Sequence, residues 1–311
     1  MKLALATDRF TRQLAANGRS AHTRAAYRRD LAALARFMGG NPDLGKITPD
    51  CLAGFLTSDA VLLAPQGQPA TKTAGKPSQA GKPRSPISVN RTKSALRSFF
   101  AFCVDSRYLR ENPARLIKSA RTSRAEPCTL SEDEVGRLRH LLTEVETRLA
   151  DRDRLILEIL LGTGIRLGSL VALNIGDIDL KQGAIHIRSK GGGRDKVFLN
   201  PSLQRLLGAY LKKNAPEANT GRDMPLIRNR SGSRLTARPI QLWFAKLCRE
   251  AGIEGKVSVH SLRHTFATNL YHRTGDLYLV QRALGHRQIG TTEIYARVSD
   301  ESLRRAIATR N

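Results

Sequence analysis

The stretch His260-Ser-Leu-Arg263-His264 opens the part of the chain, residues 260–295, around which the remainder is organised. Apolar residues at helical spacing predict a helix here. On that helix His260 and Arg263 lie one turn apart, on the flank of the apolar stripe. Because side chains one turn apart point to one place, the stretch predicts a paired imidazole and guanidinium group.

A second helix is predicted to end at Leu284, because the next residue, Gly285, suits the left-handed conformation that ends many helices. His286 then stands just beyond the helix end. Tyr295 follows nine residues later, in a short segment that a local turn would bring back towards the same cleft. An imidazole and a phenol are therefore expected to join the first pair.

An upstream segment supplies two more cationic groups. An apolar helix is predicted to stop at the glycines before Arg166, and an arginine in such a turn can approach a ligand closely. Two alternating runs, 184–188 and 196–200, then predict a β-hairpin with Lys190 at its turn. A lysine at a hairpin tip can reach into a groove and give up a proton.

Two imidazoles, guanidinium groups and a phenol suit the chemistry of a phosphate group. A phenol titrates near pH ~10, so ionising it at neutral pH costs roughly 4 kcal/mol unless positive groups stabilise the anion. The same cations would hold the charge of a five-coordinate phosphorus transition state, and the arginine fork bonds two phosphate oxygens at once. The constellation predicts phosphoryl transfer with a tyrosine nucleophile.

These motifs, in this order, resemble those of the tyrosine recombinase (phage integrase) family, and the pattern is most similar to its Xer-like members. The resemblance runs from about residue 125 to the C-terminus, and the order makes it specific, whereas a lone His-x-x-Arg would be weak. The matching positions are Arg166 in Thr-Gly-Ile-Arg, Lys190 in the hairpin, His260-x-x-Arg263, Leu284-Gly-His286 and Tyr295.

The resemblance implies a site-specific DNA recombinase, and it implies a role for each of these residues. Tyr295 would attack a scissile phosphate, form a 3′-phosphotyrosyl link and release a 5′-hydroxyl. Lys190 would be the general acid, and His260 would assist proton transfer. The phosphate would be clamped by Arg166, Arg263 and His286. No cofactor, metal or ATP is expected, since the covalent link conserves the phosphodiester energy.

Ser169 departs from the family pattern, which usually has an acidic residue three positions after the first arginine. Asp177 and Asp179 lie nearby in sequence, but nothing in the sequence shows that they substitute. This departure leaves open a sequence-specific DNA-binding protein with weak or lost cleavage. A type IB topoisomerase-like activity also stays open, because it shares the same catalytic set.

Each residue also has a simpler interpretation. His260 and His264 have the i, i+4 spacing of a zinc helix, but no glutamate lies between them and Arg263 would repel a cation, so a metal site is not predicted. A lone histidine or loop arginine is more often structural or solvated. Tyr295 alone follows Leu-Gly-His, and we predict packing roles for the other tyrosines: Tyr27, Tyr108, Tyr210, Tyr271 and Tyr278.

Charge is the strongest signal of the composition. The 311 residues contain 52 Lys plus Arg and 27 Asp plus Glu, for a net charge of +25. Such an excess predicts a polyanionic partner, and double-stranded DNA fits better than a membrane surface because no lipid-anchor motif is present. Four scattered cysteines, the lack of a secretory signal and the lack of a long apolar run predict a cytoplasmic, nucleoid-associated protein.

The predicted fold is mainly α with a small antiparallel β-sheet. A helical signal at about residues 5–38 opens a core-binding domain, residues 1–118, with a mobile loop at 64–86; residues 119–311 form the catalytic domain. By resemblance, the two domains form a C-shaped clamp on DNA. The predicted DNA-contacting residues of the first domain are Arg24, Arg28, Asn90, Ser94 and Arg97.

The resemblance also implies assembly. A homotetramer on DNA, or a heterotetramer with a related recombinase, would exchange strands between two duplexes through a Holliday junction, and a tail helix near residues 299–307 would dock on a neighbouring subunit. The target sequence, and whether the biological task is resolution, integration or transposition, do not follow from the sequence.

Overall fold

The computed structural model describes residues 1–63, 81–120, 127–144, 149–188, 193–214 and 221–285. The chain divides into two compact units, Met1–Arg124 and Ala125–Asn311. The described residues form helices and one three-stranded antiparallel sheet, so the predicted fold class is confirmed.

The first unit is helical in its described part. Its core is built from phenylalanine and leucine side chains, with Phe55, Phe99 and Phe100 fully buried. Phe10 packs edge-on against Phe99, and so joins the first helix to the last. The helices are α1 (Leu3–Ala16), α2 (Ala21–Phe37), α3 (Pro49–Thr57), α4 (Asp59–Leu62) and α5 (Pro86–Asp105).

The opening helical signal is two helices rather than one. Gly18 adopts a φ of +69°, which breaks α1 from α2, and the side chain of Ser20 then caps α2 by accepting from the backbone N–H of Thr23. Both features belong to residues that favour helix ends. The next helix, α3, starts in the same way, because the Thr48 hydroxyl accepts from the N–H of Cys51 and Pro49 occupies the first turn.

Residues 61–63 contact residues 83–84, and this contact is here called the neck. Leu63 pairs with Pro83 in an antiparallel bridge, and the N–H of Arg84 donates to the carbonyl of Leu62 over 2.7 Å. The Arg84 guanidinium adds a bond to the carbonyl of Val61. The predicted mobile loop lies mostly at 64–80, outside the described residues, while residues 81–86 lead directly into α5.

A buried carboxylate joins α2 to α5. Asp30 is 5% exposed, pairs with Arg91 over 3.0 Å and accepts from the Thr92 hydroxyl. Its second oxygen, Oδ2, is buried without a hydrogen-bond partner in the described part of the chain. Burial raises the pKa of Asp30, and the nearby Arg91 charge and the Thr92 hydroxyl oppose that shift.

The central helix of the second unit is α7 (Ala150–Thr163), and four other helices of the unit pack against it: α6, α8, α9 and α11. A capping box starts the first described helix of the unit: Ser131 and Glu134 exchange side-chain-to-backbone hydrogen bonds of 2.8 and 3.2 Å. The described helices are α6 (Glu132–Glu144), α7 (Ala150–Thr163), α8 (Leu167–Ala172), α9 (Pro201–Asn214), α10 (Ala237–Glu250), α11 (Val259–Thr274) and α12 (Leu277–Leu284).

The sheet has the order β1-β2-β3, with β1 at Ile178–Asp179, β2 at Ala184–Arg188 and β3 at Arg194–Phe198. The predicted hairpin is confirmed, although β3 begins two residues before the predicted 196–200. Its register pairs Arg188 with Arg194, which leaves Ser189 to Gly193 to connect the strands. Within the residues that the structure describes, no helix combines the length and apolar character needed to cross a membrane.

Candidate active site

Arg166 lies in a tight turn between α7 and α8. The turn begins at Gly164, whose φ of +62° ends α7, and the buried Thr163 hydroxyl accepts from the N–H of Ile165 at 3.4 Å while donating to the carbonyl of Ile159. Arg166 follows as the residue that caps α8, and its side chain is exposed. The turn therefore presents a guanidinium group at the carboxyl end of the central helix, as predicted.

Gly164 also makes the close packing of α7 on α11 possible. A Cβ at this position would lie 2.3 Å from Cδ1 of Phe266, far inside van der Waals contact. No side chain larger than hydrogen fits there unless the ring moves. The close approach at Gly164 is to a neighbouring helix, and the approach of Arg166 to a ligand stays a prediction.

His260 and Arg263 lie in the first two turns of α11, and their environments differ sharply. His260 remains open to solvent on one side while neighbouring residues desolvate its ring, whereas Arg263 is 5% exposed. The helix starts at Ser258, whose side chain forms a capping box with Ser261, so the first turn is fixed by its own side chains. The prediction placed both groups on the flank of the helix; Arg263 is instead buried.

Two backbone carbonyls hold the Arg263 guanidinium. Nη1 donates to the carbonyl of Gly164 over 2.5 Å, and Nη2 donates to the carbonyl of Leu284 over 2.8 Å. Both carbonyls lie at the carboxyl ends of helices, α7 and α12, where unpaired carbonyls carry partial negative charge. The arginine thus links the turn that carries Arg166 to the helix end that precedes His286.

The charges of this cluster reach His260. Desolvation lowers the pKa of His260, and the positive charges of Arg263 and Arg166 lower it further. His264 behaves in the same way, with burial as the first cause and His260 and Arg263 as the next. The neutral imidazole is therefore favoured at neutral pH, which suits a group that accepts a proton. Arg166, His260 and Arg263 are close enough to interact.

Three predicted catalytic residues, Lys190, His286 and Tyr295, lie outside the described residues. The elements next to two of them are described. Gly285 ends α12 in the predicted left-handed conformation, with φ +60°. A Cβ on Gly285 would lie 3.7 Å from Oδ2 of Asp195 in β3, so the hairpin that carries Lys190 passes beside the end of α12.

The acidic residues near Ser169 are committed to local turns. Asp177 accepts from the N–H of Asn174 at 2.8 Å, and Asp179 accepts from the N–H of Gln182 at 2.9 Å. Ser169 itself lies in α8, with its N–H bonded to the carbonyl of Arg166. Neither aspartate is an evident replacement for the acidic residue that the family pattern has at position 169.

The predicted DNA-contacting arginines of α2 differ in environment. Arg28 is exposed and pairs with Asp8 over 2.6 Å, a surface ion pair of the kind that contributes little to stability. Arg24 is half-buried, and its Nε finds no hydrogen-bond partner in the described part of the chain. Both side chains lie on the helix that also carries Asp30.

The predicted DNA-contacting residues of α5 have partners within the chain. Asn90 exchanges two hydrogen bonds with the backbone of Ala120. Arg97 donates to the hydroxyls of Ser119, at 3.1 Å, and Ser94, at 3.4 Å. These contacts to residues 117–120 were not foreseen from the sequence, because the segment has no periodic pattern that would indicate a docked conformation.

Two other features were missed. The carbonyls that hold Arg263 are backbone atoms, so no side-chain motif in the sequence reveals them. Tyr278, in α12, is 67% exposed, so its prediction as a packing residue is wrong. Tyr278 lies outside the motifs that resemble the family, and the position of Tyr295 after Leu-Gly-His remains the basis for the choice of nucleophile.

Arg166, His260 and Arg263 lie close together, where the turn after α7 meets the first turns of α11 in a mainly helical fold. Residues 129–302 match the model of the phage integrase family. The chain belongs to this family and is a Xer-like tyrosine recombinase.

Curated relatives and solved structures agree with this family. Tyrosine recombinase XerC of Thermodesulfovibrio yellowstonii is 32% identical, over 90% of this chain and 87% of that protein. Tyrosine recombinase XerD of Oceanobacillus iheyensis is 31% identical, over 92% and 91%. The crystal structure of XerH site-specific recombinase bound to difH substrate has a TM-score of 0.67 at 24% identity, over 92% of this chain and 78% of that chain, and shows the same fold.

Proposed function

We propose that the protein cuts and rejoins DNA strands at specific sites through a covalent phosphotyrosyl intermediate. The observation that carries the proposal is the pair of bonds from buried Arg263 to Gly164 and Leu284. The bond to Gly164 holds Arg263 against the turn that carries Arg166, so the positions of the two arginines are set before any substrate is bound. A phosphate clamp that is already ordered needs no rearrangement when charge develops on the phosphate.

The proposed chemistry is an exchange of one phosphodiester for another. The phenol oxygen of Tyr295 bonds to phosphorus, the bond from phosphorus to the 5′-oxygen breaks, and the tyrosine remains joined to the 3′-phosphate. His260 assists removal of the phenol proton, and Lys190 supplies a proton to the leaving 5′-oxygen. Rejoining reverses these steps with a 5′-hydroxyl as the nucleophile, so atoms and charge balance without a cofactor.

The clamp consists of two arginines with different supports, together with His286 by family resemblance. Arg263 is buried and held, so we assign it the fixed contact with a phosphate oxygen. Arg166 is exposed at a helix start, so we assign it the contact that forms as DNA enters. Their combined positive charge would lower the pKa of the tyrosine phenol in the complex.

Double-stranded DNA is the proposed partner. The net charge of +25 supports it, and Arg24 and Arg28 of α2 are proposed to contribute phosphate contacts. Binding to phosphates releases counterions, so affinity should fall steeply as salt rises. The first unit is proposed to be the core-binding domain and the second the catalytic domain, with the boundary in the segment after residue 118, and the two to close around DNA.

The proposed assembly is a tetramer. Each site carries one nucleophilic tyrosine and cuts one strand, and an exchange between two duplexes breaks four strands. Four active sites, from one kind of chain or from this chain and a related recombinase, would complete the reaction through a Holliday junction. We place the reaction in the cytoplasm, at the nucleoid, where DNA substrates are available.

Covalent trapping tests the proposal. A target site is first selected from random duplexes by binding to the full-length protein. A duplex with that site and a nick beside the scissile phosphate is then incubated with the protein without metal. Cleavage releases a short oligonucleotide that diffuses away, so the adduct accumulates. We expect a denaturation-resistant protein–DNA adduct for the wild type and none for Tyr295→Phe.

Tyr278→Phe is the matched control, because Tyr278 is an exposed tyrosine of the same unit and its loss leaves the proposed site intact. It should form adduct as the wild type does. Absence of adduct in the wild type, despite tight and specific binding to the selected site, would refute the cleavage step. An adduct that persists in Tyr295→Phe would refute the assignment of the nucleophile.

A further inference from the structure

One side of α5 holds the segment that leaves the first unit. Asn90 donates from Nδ2 to the carbonyl of Ala120 over 2.9 Å, and the N–H of Ala120 donates back to Oδ1 of Asn90 over 2.8 Å. A side-chain amide that both donates to and accepts from one residue reproduces the hydrogen bonds of a strand pair. The pair fixes both the position and the direction of the chain at Ala120.

Two further side chains continue the same row. Positions 90, 93 and 97 follow each other at helical spacing, so they share one side of α5. Lys93 donates to the carbonyl of Lys118 over 3.1 Å. Arg97 donates to the carbonyl of Ile117 over 3.4 Å and to the Ser119 hydroxyl over 3.1 Å. These three residues of α5, here called the anchor row, therefore contact each residue from 117 to 120.

The anchor row acts mainly on backbone atoms of the segment. Its acceptors are the carbonyls of Ile117, Lys118 and Ala120, with one side-chain hydroxyl. The α5 side chains are half-buried, while residues 118–120 are exposed. Ile117 also packs against the core of the first unit, whereas the side chains of residues 118–120 face solvent, so these three residues are held through the hydrogen bonds of α5.

We infer that the anchor row positions the connection between the two units, with Asn90 as the principal positioning residue. Asn90 is the one member that supplies both a donor and an acceptor, whereas Lys93 and Arg97 can only donate. The inference rests on the proposed function for its consequence on DNA, but not for the contacts themselves.

Holding Ala120 limits the distance that the connection between the two units can span. With Ala120 held, six residues, 121–126, connect it to Pro127 at the described start of the second unit. Six residues span at most roughly 20 Å, whereas the nine residues 118–126 that are left when the row releases span at most roughly 30 Å. A shorter connection raises the effective concentration of one unit for DNA bound by the other.

The contacts are tested first without DNA. Amide hydrogen exchange at Ala120 and trypsin cleavage after Lys118, read by mass spectrometry, both report release of the segment. Asn90→Leu removes both hydrogen-bonding groups at similar size. We expect exchange and cleavage to become roughly two- to tenfold faster, since a net hydrogen bond contributes a modest free energy and cleavage follows the open population.

Two variants keep this test specific. Asn90→Asp retains the acceptor for the Ala120 N–H and loses the donor, so it should fall between the wild type and Asn90→Leu. Asn269→Leu makes the same substitution at an exposed asparagine of α11 and should leave both rates unchanged. Unchanged rates in Asn90→Leu, measured in a chain that retains its helical content, would overturn the inference.

DNA then separates positioning from direct contact. Asn90→Leu releases Ala120 while Lys93 and Arg97 still hold residues 117–119, so it lengthens the free connection by one residue. Positioning predicts that Asn90→Leu weakens binding to the selected site, and that deletion of one uncharged residue of the connection, Ser123, restores it while weakening the otherwise wild-type chain. A direct DNA contact by Asn90 predicts weaker binding that the deletion does not restore, and that result would overturn the positioning role. If the wild type binds no specific site, the proposed function fails, and the exchange result still decides whether the row holds the segment.

Discussion

Arg263 and Gly164 lie 99 positions apart in the chain and are joined by a 2.5 Å hydrogen bond from Nη1 to the glycine carbonyl. The second guanidinium nitrogen, Nη2, reaches Leu284. Each acceptor stands two positions before a predicted phosphate contact, Arg166 and His286. One buried side chain therefore sets the separation between the two backbone segments that carry the proposed clamp.

Substituting Arg263 by lysine should destabilise the second unit. Lysine keeps the charge but offers a single nitrogen on a shorter side chain, in place of the two nitrogens with which Arg263 reaches Gly164 and Leu284, so we expect at least one of these bonds to be lost. Loss of one charged hydrogen bond costs about 1.5–3 kcal/mol. Urea unfolding followed by the fluorescence of Trp243, the single tryptophan of the chain, reports this unit.

Arg273→Lys is the control for that experiment. Arg273 is an exposed arginine in the last turn of the same helix, and its described hydrogen bond goes to the carbonyl of Asn269 in that helix. Its replacement should change the free energy of unfolding little. Equal decreases in the free energy of unfolding of the two variants would show that the hydrogen bonds from Arg263 to Gly164 and Leu284 do not stabilise the second unit.

Substituting Gly164 by alanine should cost more than the same change at Gly275. Both glycines end helices with nearly equal backbone angles, φ +62° and +64°, so both pay about 1–2 kcal/mol for a left-handed alanine. Only Gly164 faces a ring, at 2.3 Å from an added Cβ, and nothing lies within 4 Å at Gly275. Trp243 fluorescence in urea again measures both variants.

Phe266→Ala in the Gly164→Ala background tests the cause of the difference. Removing the ring removes the clash, so the second substitution should cost less in this background than in the wild type. Additive losses would mean that the excess cost at Gly164 does not come from the ring.

The imidazole of His260 should titrate below its ordinary pKa of about 6.5. Desolvation comes first, and the charges of Arg263 and Arg166 add to it. Arg166→Gln removes one positive charge and should raise the pKa of His260, as followed by NMR of the histidine ring protons with His260→Asn for assignment. Arg154→Gln, at an exposed position of α7, should leave the titration unchanged.

Asp30 should make the first unit less stable as pH rises. Burial raises its pKa in the folded state, so between about pH 3.9 and that raised pKa the folded chain binds more protons than the unfolded chain. Stability relative to Asp30→Asn is then greatest below about pH 3.9 and declines as pH increases through the folded pKa. Urea unfolding of both chains by circular dichroism, at pH 4 and pH 7, measures the change.

A difference between wild type and Asp30→Asn that stays constant between the two pH values would contradict this prediction. The Trp243 signal serves as an internal control, since it reports the second unit, where both chains are identical and should lose the same stability with pH.

Much of the local structure followed from short-range signals. The end of α7 at Gly164, the end of α12 at Gly285 and the hairpin were all predicted and are confirmed. Each is decided by residues within one turn of the feature, through backbone angles or caps. The family and its fold were likewise predicted from ordered motifs and are confirmed.

Features set by distant residues were not predicted. Burial of Arg263 depends on carbonyls 99 and 21 positions away, and the neighbour of Gly164 is a ring on another helix. The break between α1 and α2 was also missed, although its signal is local: residues 17–20 contain no apolar side chain, and Gly18 and Ser20 are residue types that favour helix ends. Lys190, His286 and Tyr295 lie outside the described residues, so their placement in the site stays a prediction.

The neck at Leu63 and Pro83 has a consequence for how this chain tolerates change. Because the bridge and the Arg84 bonds join residues 61–63 to residues 83–84, we expect α4 and α5 to keep their contacts when the number of residues between 63 and 83 changes. Closing a longer loop adds only about 0.6 kcal/mol for each doubling. The segment between residues 63 and 83 is therefore a suitable insertion site: an epitope, a fluorophore or a whole foreign domain could be inserted there while α4 and α5 keep their packing.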